Sequence, residues 1–254
     1  MGILYHLQVG CADASVIKTQ SHTFLVDCHG IDRYRQLLPY NRVLKGVFIT
    51  HQHRDHFSGL QYLRDNGYSI QFLIYSPYER RRIDASVGLE EWNEFQDHIA
   101  CFVARGTKTY TPFRPDTFDT PFWDIDNVCF QIIGPHERIA KADTRELHDA
   151  CLVIKAEGAV NCLFAGDASD TALAEIASTT INFCNGILHA SHHGSINGAE
   201  PTFVRGCNAV NTVVSTATGF HEGIPHPDAM RLYRTHTRKR VYRTDTDGSV
   251  RWDF

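Results

Sequence analysis

Four ligand-type side chains fall within six consecutive residues: His51, His53, Asp55 and His56. They directly follow Lys45 to Thr50, an apolar run that reads as a buried strand. In an extended segment, residues two apart point the same way, so His51 and His53 can bind one ion together. Asp55 and His56 lie past the bend and face a neighbouring position. Imidazole and carboxylate ligands suit zinc, and also manganese or iron.

The elements that must position these residues are short. Leu4–Val9, Ser15–Thr19, Phe24–Asp27 and Phe72–Tyr75 read as strands. Phe57–Asn66 and Gly88–Ala100 read as helices, the first stopped by Gly67. A turn-rich stretch with Pro112, Pro115 and Pro121 follows, as either a lid or an ordinary surface loop. Val128–Ile133, Ala150–Ala156, Asn161–Ala165, Gly186–Ala190 and Val210–Ser215 read as further strands. Ser169–Ser178 and Asp228–His236 read as helices. Val241–Arg243 and Ser249–Trp252 close the chain as strands around Asp-Gly turns. Strands and helices alternate in two halves, which points to an α/β sandwich with helices outside two packed sheets.

The 254 residues suit a single domain with a full core, 43% of them hydrophobic. Residues 76–127 are a candidate lid or insertion within it. The eight cysteines form no CxxC pair and read as small core residues in a reducing compartment. No secretory signal and no membrane-spanning run is apparent, so the expected location is the cytoplasm. A net charge of −4 argues against coating nucleic acid by bulk charge. The basic runs Arg80–Arg82 and Arg231, Arg234, Arg238, Lys239, Arg240, Arg243 read either as phosphate-neutralising groups or as solvated faces.

The His51–His56 stretch resembles the HxHxDH hallmark of the metallo-β-lactamase superfamily. The resemblance implies a four-layer αββα sandwich and two divalent ions, zinc or manganese. It puts His51 and His53 on the first ion and Asp55 and His56 on the second. Leu163 to Asp167 resembles the family's strand ending in Gly-Asp, where the aspartate bridges both ions. His148 sits where the family places a third ligand to the first ion. His192-His193-Gly194-Ser195 resembles the branch typified by the hydrolase domain of ComEC-type DNA-uptake proteins. There His192 is assigned to the second ion, with His193 beside it or facing substrate, and the reverse order stays open. Val9–Asp13, Phe24–Gly30, His226-Pro227 and Tyr242–Ser249 also match that branch. Asp27 is expected to orient a metal-binding histidine, and Asp13 to support the loop or the substrate.

Such a centre implies hydrolysis by a metal-activated water, with Asp55 and Asp167 as catalytic carboxylates. His193 or His226 would supply the leaving-group proton, and His226 has a rival structural role before Pro227. The branch points to a phosphodiesterase or nuclease acting on a phosphoester, DNA or a nucleotide. A lactone or thioester hydrolase on the same metals is the alternative. A non-catalytic binding module is the third reading, which loss of ligands would mark.

Overall fold

Strand residues alternate between two faces, and in this chain both faces are apolar. In Thr23–Cys28, Phe24 and Val26 enter one core while Leu25 enters another. In Val43–Ile49, Phe48 joins the first and Val47 and Ile49 the second. Strands buried on both sides need a layer on each side, which is why two sheets stack and helices cover them.

The computed structural model describes residues 2–115, 123–179 and 183–254. The first half supplies β1 (Ile3–His6), β2 (Ala14–Lys18), β3 (Thr23–Cys28), β4 (Val43–Ile49), β5 (Ser69–Tyr75) and β6 (Lys108–Tyr110). The second supplies β7 (Trp123–Ile125), β8 (Val128–Gly134), β9 (Val153–Glu157), β10 (Asn161–Phe164), β11 (Ile187–His189), β12 (Asn211–Val214), β13 (Arg240–Arg243) and β14 (Val250–Asp253). The helices are α1 (Arg54–Phe57), α2 (Gly59–Asp65), α3 (Leu89–Ala104), α4 (Glu137–Ala140), α5 (Asp170–Thr179), α6 (Pro201–Cys207), α7 (Pro227–His236) and α8 (Thr244–Asp247).

One sheet has the order β14-β1-β2-β3-β4-β5-β6, the other β13-β12-β11-β10-β9-β8-β7. Each is antiparallel at one end and parallel at the other. In the first, β3 to β6 run parallel; in the second, β10 to β13 do. The chain's last strand returns to pair with β1. Between the sheets lie Phe24, Phe48, Ile74, Phe130, Ile154 and Phe164. Outside the first sheet, Leu60, Leu63, Phe95 and Phe102 of α2 and α3 pack on Leu25, Val47 and Ile49. Outside the second, Leu173, Phe203 and Tyr233 of α5, α6 and α7 pack on Val153, Leu163 and Leu188. The result is the expected αββα sandwich.

The helix expected over Phe57–Asn66 is two helices that meet at Ser58, and the first begins at Arg54. Asp55 and His56 therefore sit on a helical turn. Gly59, which follows, cannot carry a side chain: a Cβ there would lie 1.8 Å from the Cys28 carbonyl oxygen. That close approach clamps α2 onto the end of β3.

Within residues 76–127, α3 covers the first sheet, and β6 and β7 extend the two sheet edges. Pro121 lies outside the described residues. All eight cysteines are free, six of them buried. Among the described residues, no helix is long and apolar enough to cross a membrane.

Candidate metal centre

Every candidate ligand lies on one rim of the sandwich. His51 follows the C-terminal end of β4, Asp167 that of β10, and His192 and His193 that of β11. His148 lies in the turn of 3₁₀ helix Leu147–Ala150 that leads into β9, which runs antiparallel to β10. The Leu152 amide donates to the Thr50 carbonyl at 2.8 Å, tying the two sheets together at this rim. Gly166 makes the close approach possible. Its φ is +50°, and a Cβ would meet Thr50 and Cys151 at 2.7 Å.

The side chains fall into overlapping groups whose ligand atoms lie within 4.8 Å of one another. One is His51, His53 and His148. Others are His51, His56 and Asp167; Asp55, His56 and His193; and His148, Asp167 and His192. Asp167 is common to both sides: its carboxylate lies 3.9 Å from His51 Nε2, 3.5 Å from His56 Nε2, 3.6 Å from His193 Nε2 and 3.8 Å from His192 Nε2.

Hydrogen bonds on the far side of each ring set which nitrogen faces inward. His56 Nδ1–H donates to Asp27 Oδ2 at 2.9 Å, and Asp27 also accepts from the Thr50 amide and hydroxyl, each at 2.8 Å. His193 Nδ1–H donates to the Ser215 carbonyl at 3.1 Å. His53 Nε2–H donates to the Ser86 carbonyl at 2.8 Å, which turns its Nδ1 toward His51 Nε2, 3.0 Å away. The inward atoms then lack partners: His56 Nε2, His148 Nε2, His193 Nε2 and Asp167 Oδ1 are buried without a hydrogen bond. Buried polar atoms are normally paired, so a converging set of unpaired donors fits a cation.

Carboxylates and imidazoles shift one another's charge within this cluster. Burial opposes charging His193, but Asp167 and Asp13 outweigh it and lift its pKa to about 9. His56 is raised in the same way by Asp167, Asp27 and Asp55 against burial. For Asp167, burial is outweighed by His193 and His56, which hold the carboxyl well below its ordinary range. Burial lowers His148 to about 4, with Asp167 offsetting part of the effect.

The resemblance assigns His192 to the second ion and leaves the reverse order open; the structure groups His193 with Asp55 and His56, and His192 with His148 and Asp167. His193 is buried with Asp55 and His56, 3.4 Å from Asp55 Oδ2. His192 is partly exposed and stands with His148, their rings 4.8 Å apart. The reason is the backbone: His192, His193 and Gly194 all have left-handed φ of 52°, 53° and 81°. A run of such residues is strained, and strain of this kind collects at functional sites. Here it sends the two rings to different sides of the centre, His193 beside Asp55 and His56 and His192 beside His148, each within 4 Å of Asp167.

Asp13, whose role was left open, is buried 3.6 Å from His193 Nδ1 and 3.4 Å from His189 Nε2. Its amide donates to the Asp55 carbonyl at 3.0 Å. Burial would raise its pKa, but His189 and His193 depress it. His189 escaped the sequence reading because a single histidine inside an apolar strand carries no spacing signal. His226 occupies the N-cap of α7, where Nδ1 accepts from the Asp228 amide at 3.2 Å. Its own amide donates to the Gly194 carbonyl at 2.9 Å, so it braces the His192-His193 turn. The Ser195 hydroxyl accepts from the Asn197 amide, a local turn contact.

The basic runs are largely committed to structure. Arg80 donates to the Val87, Arg81 and Asp84 carbonyls. Arg81 donates to those of Asp143 and Arg145. Arg231, Arg240 and Arg243 pair with Asp228, Asp247 and Asp245.

No protein-family model matches the chain, and no curated protein does. Solved structures do. The metallo-β-lactamase fold protein YhfI from Bacillus subtilis is similar with a TM-score of 0.58 at 12% identity, covering 99% of this chain and 98% of that one. Zinc-bound PqqB from Methylobacterium extorquens gives 0.56 at 10% identity, covering all of both chains. A diphosphatase from the PhnP family gives 0.53 at 11% identity, covering 100% of this chain and 98% of that one. At these identities the likeness establishes the metallo-β-lactamase fold.

Proposed function

We propose that this chain is a dinuclear metal-dependent phosphodiesterase. The observation that carries this reading is the pair of adjoining ligand sets beside Asp167, in which His148 Nε2, His56 Nε2, His193 Nε2 and Asp167 Oδ1 are buried without a hydrogen bond. His51, His53 and His148 would hold the first ion and Asp55, His56 and His193 the second, with Asp167 between them. Three imidazoles favour zinc at the first position; the carboxylates of the second suit zinc or manganese. Bound divalent ions supply Lewis acidity toward a phosphoryl oxygen and an activated water. Asp167, within 4 Å of ligands from both sets, would hold the two positions together. Asp27, through His56, and Ser215, through His193, keep two ligands in the tautomer that presents Nε2. His192, at the open side, is placed to give a proton to a leaving oxygen. Support for a phosphoester over a carbonyl ester comes from the resemblance to the ComEC-type hydrolase branch. The fold is shared with a PhnP-family diphosphatase and a yeast RNase Z.

The test is elemental analysis of the purified protein together with turnover of bis(p-nitrophenyl) phosphate, a lactone and single-stranded DNA. Roughly two ions per chain and phosphodiester cleavage support the reading, and DNA cleavage narrows it to a nuclease. Turnover of the lactone alone would replace it with a carbonyl-ester hydrolase. Absence of metal and of turnover in zinc- and manganese-supplemented buffers would leave a binding module.

Asp27→Asn is expected to weaken metal binding by roughly 10- to 100-fold. An amide can still accept from the Thr50 amide, but its NH₂ then faces His56 Nδ1. His56 must accept there and carry its proton on Nε2, the atom needed for the ion. Chelator competition measures the change; unaltered affinity would show that Asp27 does not set this tautomer.

A further inference from the structure

Beside the metal ligands lies a cavity of about 370 Å³, lined by Gly10, Cys11, Arg54, Asp55, Phe220 and His221 among others. That is the small end of the range for ligand pockets, roughly 300–1,000 Å³. Asp55 belongs both to this cavity and to the group with His56 and His193, so whatever fills the cavity touches the reacting centre. We propose that it binds a planar aromatic group carried by the phosphate ester, a nucleobase being the biological form, and that Phe220 is its stacking platform. This deepens the phosphodiesterase reading and rests on it.

Phe220 is 68% exposed and lines the cavity. Its recorded ring contact is His221, edge-on at 4.8 Å and 86°, which leaves ring surface for a ligand. The loop that carries it is held on both sides. The Ser215 hydroxyl donates to the Ala12 carbonyl at 2.6 Å, and the Thr216 amide to Thr244 Oγ1 at 3.0 Å. The Thr218 amide and hydroxyl both donate to Asp245 Oδ2. On the other side, the His226 amide donates to Gly194. An aromatic presented on an anchored loop costs little ordering entropy on binding.

The charges point to a neutral occupant. Arg54 is engaged by Glu94 at 2.6 Å and Glu90 at 3.0 Å, so it is compensated rather than offered to an anion. Gly10, Cys11 and Ala12 also line the cavity, and burial, with Asp55 adding to it, pushes the Cys11 thiol up to about 12, so these residues carry no charge, while the Asp55 carboxylate disfavours an anion. The phosphate belongs at the metals and the ring in the cavity. Stacking tolerates any base, because every base has a π-face.

The experiment is calorimetric titration of the zinc-loaded protein with adenosine 5′-monophosphate and with ribose 5-phosphate, which has a hydroxyl in place of the base. The nucleotide is expected to bind at least about tenfold tighter. Phe220→Ala should erase that difference without altering the affinity for ribose 5-phosphate, and Phe220→Tyr should restore it. Phenyl phosphate bound as tightly as the nucleotide would widen the group to any aryl ester; weaker binding would narrow it to a nucleobase. Equal affinity for the two ligands, no binding of either, or a preference that survives Phe220→Ala would overturn the proposal. Bis(p-nitrophenyl) phosphate turnover by the unaltered protein is measured alongside. Turnover with equal affinities sinks this proposal alone, whereas its absence sinks the reading beneath it.

Discussion

Asp167→Ala is expected to lower kcat/KM for a phosphodiester by roughly 10³-fold or more, about 4 kcal/mol of transition-state stabilisation. It should also remove most of the bound metal. Among the described residues, its carboxylate lies within 4 Å of His51, His56, His192 and His193 together. Asp55 reaches His193 Nε2 at 3.4 Å but is partly exposed. Without Asp167, the imidazoles of the two sets would bring two dications together with no anion between them. The substitution is small and Asp167 lies at the rim, so the sandwich should fold, as circular dichroism can check. Elemental analysis and steady-state kinetics decide the matter. Two retained ions with more than about a tenth of the activity would show that Asp167 does not join the positions.

How much of this was legible differs from residue to residue. The His51–His56 stretch announces itself because its ligands are close in sequence and follow an apolar strand. The sandwich was legible from two rounds of strand and helix, with central strands such as β3 and β4 apolar on both faces. Helix α6 was overlooked although Pro201 stands at its first turn, with the Glu200 side chain accepting from the Phe203 amide. Asp13 and His189 could not be paired from sequence, being 176 residues apart and joined only by the stacking of the sheets. Asp27 is held by Thr50, which a strand ending at the same rim brings to it. The order of His192 and His193 depends on three left-handed residues in succession, and chain chemistry gives no warning of that beyond the single Gly194.

That order has a measurable consequence. His193→Ala is expected to lose the second ion and roughly 10³-fold in kcat/KM, whereas His192→Ala should keep two ions and lose roughly 10- to 100-fold through slower leaving-group protonation. The metal-free protein offers a separate readout. The pKa of His193 is raised to about 9 in the fold, against an ordinary value near 6.5. The folded state therefore binds this proton more tightly than the unfolded chain. The stability it contributes is fully present below about pH 6.5 and is lost as pH rises through about 9. His56, raised by the same carboxylates, adds to the fall. Chemical denaturation between about pH 7.5 and 9, above the range in which histidines of the unfolded chain change charge, should show stability declining in the metal-free protein. The decline should be shallower in His193→Ala and unchanged in His192→Ala, because only the buried ring is enclosed by Asp13, Asp55 and Asp167. Equal metal loss in both variants, with equal pH slopes, would make the two histidines interchangeable and remove the structural distinction between them.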